Sequence, residues 1–339
     1  MFGKFMNSYF YGKSGKGDYT KEDLPSTRSQ LFRETLRTRF SGLTRLNLVY
    51  MLAWLPAMAV IVYHVLALYS AMAGLSDLQT QVDAGTLAAA EFATQQALFS
   101  DAVKSILLRG LLFLIPCISI TGPFTAGLSY VTRNWARDEH AFAWSDFKDA
   151  AKENWKQALA ISTITGFIPL VVYVCWMFYG ELSAQNSLFI IPQVLTLTLG
   201  VLWLMSLLYS YPLMVTYRLR FRDMLRNSFL LTIGRLPGTL ALKLLSVLPI
   251  LIGVAVCTFT PYLQWVVMVL FLYYVVIGFA LSRFVGASYT NAMFDKYINV
   301  KIEGAQVNRG LYVEENDEDE EPAEATEGTA TDSDDPPQA

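Results

Sequence analysis

Six unbroken apolar stretches, near residues 46–72, 105–131, 157–179, 187–216, 239–260 and 262–286, leave this chain few folds to adopt. Each holds the roughly 20 residues that cover about 30 Å of hydrocarbon at about 1.5 Å per residue. A backbone inside hydrocarbon must satisfy its own hydrogen bonds, and a helix does so within one segment. The expected fold class is therefore an all-α membrane protein with six transmembrane helices. Composition agrees: 53% of the residues are hydrophobic and only 16% are charged, where a soluble domain carries about 25%. None of the stretches has a signal-peptide layout, because 45 largely polar and basic residues precede the first.

Charge orients the spans. Of the 26 Lys and Arg, 24 fall in four regions: residues 1–45, the loop 132–156, the loop after the fourth span together with Lys243, and the segment from Arg283 onward. The connection 73–104 carries Lys104 against Asp77, Asp83, Glu91 and Asp101, and the two remaining connections carry no base. Basic residues stay on the cytoplasmic side. Both termini are thus expected on the cytoplasmic side. The chain divides into a basic arm, 1–30, a six-span membrane domain, 31–310, and a tail, 311–339. The tail holds 12 of the 29 acids and no base. It has too little apolar surface to offset its ordering entropy, so disorder is expected. Residues 1–310 carry 26 bases against 17 acids, so the whole chain's net charge of −3 conceals a domain of net +9.

A short pattern recurs three times on the basic side. Phe32-Arg33-Glu34-x-x-Arg37-x-x-Phe40 precedes the first span, Phe147-Lys148-Asp149-x-x-Lys152-x-x-Trp155 the third, and Phe221-Arg222-Asp223-x-x-Arg226-x-x-Phe229 the fifth. The residue four on from each Phe is also apolar: Leu36, Ala151 and Leu225. Positions i, i+4 and i+8 share a helix face, so each copy predicts a short amphipathic elbow helix lying on the membrane surface. In each, an acid stands three residues before a base, close enough to pair.

The same odd spans contain Leu55-Pro56, Ile168-Pro169 and Leu248-Pro249. Each Pro falls about nine to twelve residues past the start of its span, about 14–18 Å in, near the middle of the core. The even spans close with Ser129-Tyr130, Thr216-Tyr217 and Ser288-Tyr289. Together these marks predict three helical hairpins in parallel orientation, related by an approximate three-fold axis. A proline leaves the carbonyl four residues earlier without its partner. Pro56, Pro169 and Pro249 are accordingly the candidate mid-membrane site. The plainer alternative is that basic loops and proline-bearing spans alternate in many membrane chains, and the matches are chance.

One stretch carries more. Gly122-Pro123, Leu128-Ser129-Tyr130, Arg137-Asp138-Glu139, Trp144-x-Asp146-Phe147 and Asn154-Trp155 follow one another across the second elbow. In this pattern the chain resembles the YesL-like family of bacterial multi-pass membrane proteins, a domain of unknown function. The resemblance covers residues 115–175 well and 40–300 loosely. It implies a protein of the bacterial cytoplasmic membrane associated with carbohydrate uptake and glycan degradation. It supplies no activity and no catalytic residue.

Little else points to chemistry. The two histidines, His64 and His140, have no second His, Cys or paired acid at ligand spacing, so no metal, cofactor or catalytic residue is expected. His64 reads as a hydrogen-bonded or interfacial residue and His140 as a surface one. Cys117, Cys175 and Cys257 read as small apolar fillers. The GKSGKGD run near Gly12 resembles a phosphate loop, but Asn7 stands where the first Gly is required, and no strand precedes it. Neither an H-E-x-x-H nor a G-x-S-x-G pattern occurs. No Asp or Glu lies in mid-span, which argues against an ion-coupled carrier. Arg109 and Lys243 lie close enough to span ends to snorkel to the interface. The row Gly278-x-x-x-Ser282-x-x-x-Gly286 permits close helix packing, within the chain or between copies.

These readings lead to a non-enzymatic membrane protein accessory to carbohydrate uptake or glycan utilisation. Its elbow residues Phe147, Lys148, Asp149, Trp155, Phe221, Arg222 and Asp223 would form the surface for a partner. The runner-up is a saccharide transporter or channel without ion coupling. The bilayer is the expected partner, with a carbohydrate transport system beside it and no nucleic acid.

Overall fold

The computed structural model describes residues 24–85 and 87–312. Residues Thr27–Gly310 form one unit, and the described residues 24–26 and 311–312 belong to a second. In the second unit the Tyr312 N–H donates to the Pro25 carbonyl at 2.9 Å. The expectations for residues 1–23 of the basic arm and for the acidic tail from 313 fall outside the described residues.

All regular structure among the described residues is helical, and six helices are long and apolar enough to cross a membrane. The first two spans are α1 (Arg28–Asp83) and α2 (Ala89–Trp135). The elbow α3 (Ser145–Glu153) leads into α4 (Trp155–Ser183), and α5 (Ile190–Thr216) is the fourth span. The third elbow, α6 (Phe221–Gly234), precedes α7 (Leu236–Phe259). The sixth span joins α8 (Leu263–Tyr273) to α9 (Phe279–Tyr297) through a π-helical segment, Tyr274–Gly278.

Two of the three elbows form as predicted, and the first does not. Residues 32–40 are the opening turns of α1, whose 56 residues run on without a break. Between Phe40 and Leu46 there is no proline, and the single Gly42 costs only about 1 kcal/mol in a helix. Thr27 starts this helix with a capping box shared with Gln30 (3.3 and 3.1 Å), so α1 begins inside the expected arm. The second elbow is separate because Asn154 (φ −100°, ψ 8°) ends it, its Nδ2 donating to the Ala150 carbonyl at 3.0 Å. Pro237, in the first turn of α7, sets the start of the fifth span after the third elbow. At the far end α1 continues to Asp83 and turns at Gly85, whose φ of +72° suits a residue without Cβ. The Ala-rich stretch after it is helical too, so α2 starts at Ala89, well before the expected span at 105.

The packing is cyclic. The even spans α2, α5 and α9 touch one another. Each odd span packs on its own hairpin partner and on the even span of the hairpin before it: α1 on α2 and α9, α4 on α5 and α2, α7 on α8 and α5. Three parallel hairpins require this pattern of contacts. The buried clusters follow it, one joining Leu43, Leu46, Leu128, Phe147 and Phe284, the other Ile161, Tyr209, Leu213, Met224 and Phe294. Apolar side chains such as Leu52, Phe113, Ile191, Leu199 and Val254 face outward, as a lipid-exposed surface requires.

Candidate functional site

The sixth span departs from α-helical register where it meets α1. A π turn leaves backbone groups without their usual partners. Asn47, fully buried on α1, takes them over. Its Nδ2 donates to the carbonyls of Tyr274 (2.8 Å) and Val275 (2.7 Å), and its Oδ1 accepts from the Ala280 N–H (2.8 Å). One amide thereby ties α1 to both sides of the irregular segment. Trp54 stacks on Phe279 (5.0 Å between centroids), and Tyr50 meets the same ring edge-on (5.5 Å).

Beside this junction lies a cavity of about 160 Å³, lined by residues of α1, α2, α5, α7 and the sixth span. It has room for several waters or one small solute. Lys243 and Ser246 enter it from α7, Ser129 and Thr132 from α2, and Ser282 and Arg283 from α9. The Arg283 guanidinium lies 5.1 Å above the Tyr211 ring. Gly278, Ser282 and Gly286 all line the cavity, and a Cβ on Gly286 would come within 3.0 Å of Leu208 Cδ1. The small-residue row therefore serves internal packing. By helix rise, Lys243 is about 24 Å along α7 from its far end, and Arg283 about 30 Å along the sixth span. Arg283 thus stands at the basic edge of a layer about 30 Å thick, and Lys243 just inside it.

Lys243 therefore does not snorkel out to the interface; it turns into the bundle. Arg283, grouped by the charge pattern with the segment after the sixth span, lies in the cavity wall. The missed signal was its position inside the apolar stretch 262–286, where an ionisable residue is costly unless it has a role.

The three predicted prolines are not gathered at this site. Pro56 is exposed, Pro169 and Pro249 are half-buried, and none of them lines the cavity. They lie on the odd spans, which pack outside the even ones. Pro212, on an even span, is the proline the cavity contains.

The predicted elbow surface divides. Phe147 is 3% exposed in the first core cluster, and Phe221 packs on the second with Leu225 and Phe229. Lys148, Asp149, Arg222 and Asp223 are exposed. Trp155 leaves the elbow face because the helix ends at Glu153, and it is 49% exposed at the start of α4. With Trp144, Lys148, Lys152, Phe124 and Leu52 it edges an open, largely apolar groove of about 670 Å³. Among the described residues neither Asp149–Lys152 nor Asp223–Arg226 closes as an ion pair. His64 bonds the Val60 carbonyl through Nδ1 (2.8 Å), and His140 packs edge-on against Phe142.

The basic end is closed by two polar clusters. Asp295, 4% exposed, binds Arg28 Nη2 (2.6 Å), Asn299 Nδ2 (2.6 Å) and the Asn308 N–H (3.2 Å). Glu139 pairs with Arg137 (3.0 Å) and Arg309 (3.4 Å), and Arg137 also donates to the Gln306 carbonyl (3.3 Å). Just past α5, Tyr217 donates to Asn299 Oδ1 at 2.6 Å. Burial pushes its phenol up to about 12, so it remains a donor at neutral pH.

The sequence pattern across the second elbow now has physical content. Gly122 lies against Ser162 and the Ala158 carbonyl of α4, with no space for a Cβ. Asp138 turns the chain at φ 55°, between the two partners of the Arg137–Glu139 pair. Asp146 accepts the Phe142 N–H (2.9 Å) at the start of α3. Residues 98–176 match the model of a family described as protein of unknown function, DUF624. The match takes in most of α2, α3 and much of α4, including Ser129 and Thr132 of the cavity but not Lys243 or Arg283. No curated protein and no solved structure matches the chain.

Proposed function

We propose that this is a non-enzymatic membrane protein that takes a small polar solute into the cavity of its bundle, as a transporter or channel without ion coupling. The observation that carries this reading is the cavity itself: charged and hydroxyl residues from α2, α7 and α9 line one space, and ionisable groups turned into a membrane bundle are costly without a role. No carboxylate lines it, which accords with a mechanism free of proton or sodium coupling. The basic loops support an orientation with both termini inside, and the resemblance to the YesL-like family suggests a bacterial cytoplasmic membrane.

The purified protein in liposomes should take up at least one member of a panel of labelled saccharides and small anions. Ser246→Phe, which fills the cavity from α7, should abolish that uptake. Uptake no faster than in protein-free liposomes, for every solute, would refute the reading.

A second reading is favoured by the groove at Trp144 and Trp155 beside Lys148 and Lys152. There the protein is accessory to a carbohydrate-uptake system, the role that the resemblance to the YesL-like family suggests. A protein acting only through such a partner gives no uptake by itself, so the liposome assay separates the two.

A further inference from the structure

Lys243 and Arg283 face the same cavity from neighbouring spans, and among the described residues neither meets a carboxylate. The Tyr211 ring under Arg283 offsets part of its desolvation but does not neutralise it. Two like charges lining one part-buried space stay costly until something brings negative charge between them.

The unfilled hydrogen-bonding capacity points the same way. Ser129 is 2% exposed and its Oγ has no partner. Trp54 Nε1, which can only donate, has none either. Both residues line the cavity. Lys243, Arg283, Trp54 and Ser129 thus all line one space with no acid in its lining. A neutral sugar would satisfy the donors and leave both charges unbalanced. A cation would be repelled. A compact oxyanion answers both needs, since charge-assisted bonds to oxyanions are the strong ones.

We propose that the cavity binds a phosphate group, with Lys243 and Arg283 as counter-charges and Ser129 and Trp54 as donors. This rests on the reading that the cavity takes up a solute, and it adds the solute's chemical class. The phosphate can belong to a free solute or to a lipid headgroup, and the two sources are separable.

The test is calorimetric titration of the full chain with inorganic phosphate in a neutral, lipid-free detergent, and with phosphatidic acid in nanodiscs. Saturable binding is expected in at least one arm, and the arm that binds names the source. Lys243→Gln and Arg283→Gln should each weaken it by about tenfold or more, as expected for removing one partner of a buried charge pair. Ser129→Ala should weaken it several-fold, Lys243→Arg should retain it, and Lys104→Gln, outside the cavity, should leave it unchanged. Thermal melts identify any variant that fails to fold, and Ser129→Ala tests the site without altering its charge. No saturable binding in either arm, or binding unchanged in well-folded Lys243→Gln and Arg283→Gln, would overturn the assignment. Binding is read at equilibrium, without passage. Phosphate binding with no liposome uptake keeps this site and removes the uptake reading. Uptake of neutral saccharide with no phosphate binding does the reverse.

Discussion

Asn47 bonds two carbonyls and one N–H of the sixth span, and no water reaches it. Replacing it with Leu keeps the approximate volume and orphans all three backbone groups. Each buried orphan costs about 1–3 kcal/mol, although alternative partners inside a membrane recover part of this. Asn47→Leu should therefore lower unfolding stability by about 1–3 kcal/mol, read from a thermal or detergent-unfolding midpoint. An unchanged midpoint would mean that the π segment satisfies itself. In the sequence, Asn47 is legible only as a polar residue at the start of a span. Its partners lie more than 220 positions away, and nothing local announces a π turn.

At the scale of elements, the three elbow copies show how far a local pattern reaches. The face Phe221, Leu225, Phe229 packs inward as the i, i+4, i+8 spacing predicts. In the second copy that face ends early, because Asn154 stops the helix before Trp155. In the first copy, Phe32 stacks on Phe284 (5.3 Å) and Leu36 joins the core, while Phe40 is 52% exposed. Helix crossings are set by contacts the pattern does not carry. At Gly122 a Cβ would overlap Ser162 and the backbone of α4, so Gly122→Ala must push two spans apart. Overpacking of this kind costs about 1–3 kcal/mol. Gly74, also inside a helix, has nothing within 4 Å of an added Cβ. Gly74→Ala should instead stabilise by about 0.4–1 kcal/mol. Melting midpoints moving in opposite directions would bear out the pair; two shifts of one sign would not.

For the whole molecule, one test concerns orientation. With the basic loops on one side and the turn at Gly85 on the other, a reporter fused at residue 85 should lie outside and one at 145 inside. The reverse at either site would invert the reading of the termini while leaving the bundle unchanged. The cyclic packing of three hairpins makes that bundle consistent with its charge pattern: every odd span leaves the basic end, and every even span returns to it.

The sequence by itself determined the number of spans, the separation of basic from non-basic loops, and the pairing of spans into hairpins. Length against bilayer thickness and the cost of charge in hydrocarbon are local quantities, readable one segment at a time. The site was decided by tertiary structure. Prolines at equal depth in the three odd spans suggested a shared centre, but hairpin packing placed the even spans inside and left Pro56 on the outer surface. Lys243 looked free to reach the interface because it lies close to a span end. In the bundle it lines one cavity with Ser129, Ser282 and Arg283. Which face of a helix turns inward depends on several helices packing at once, and only the assembled bundle shows two cations lining one cavity with no acid beside them.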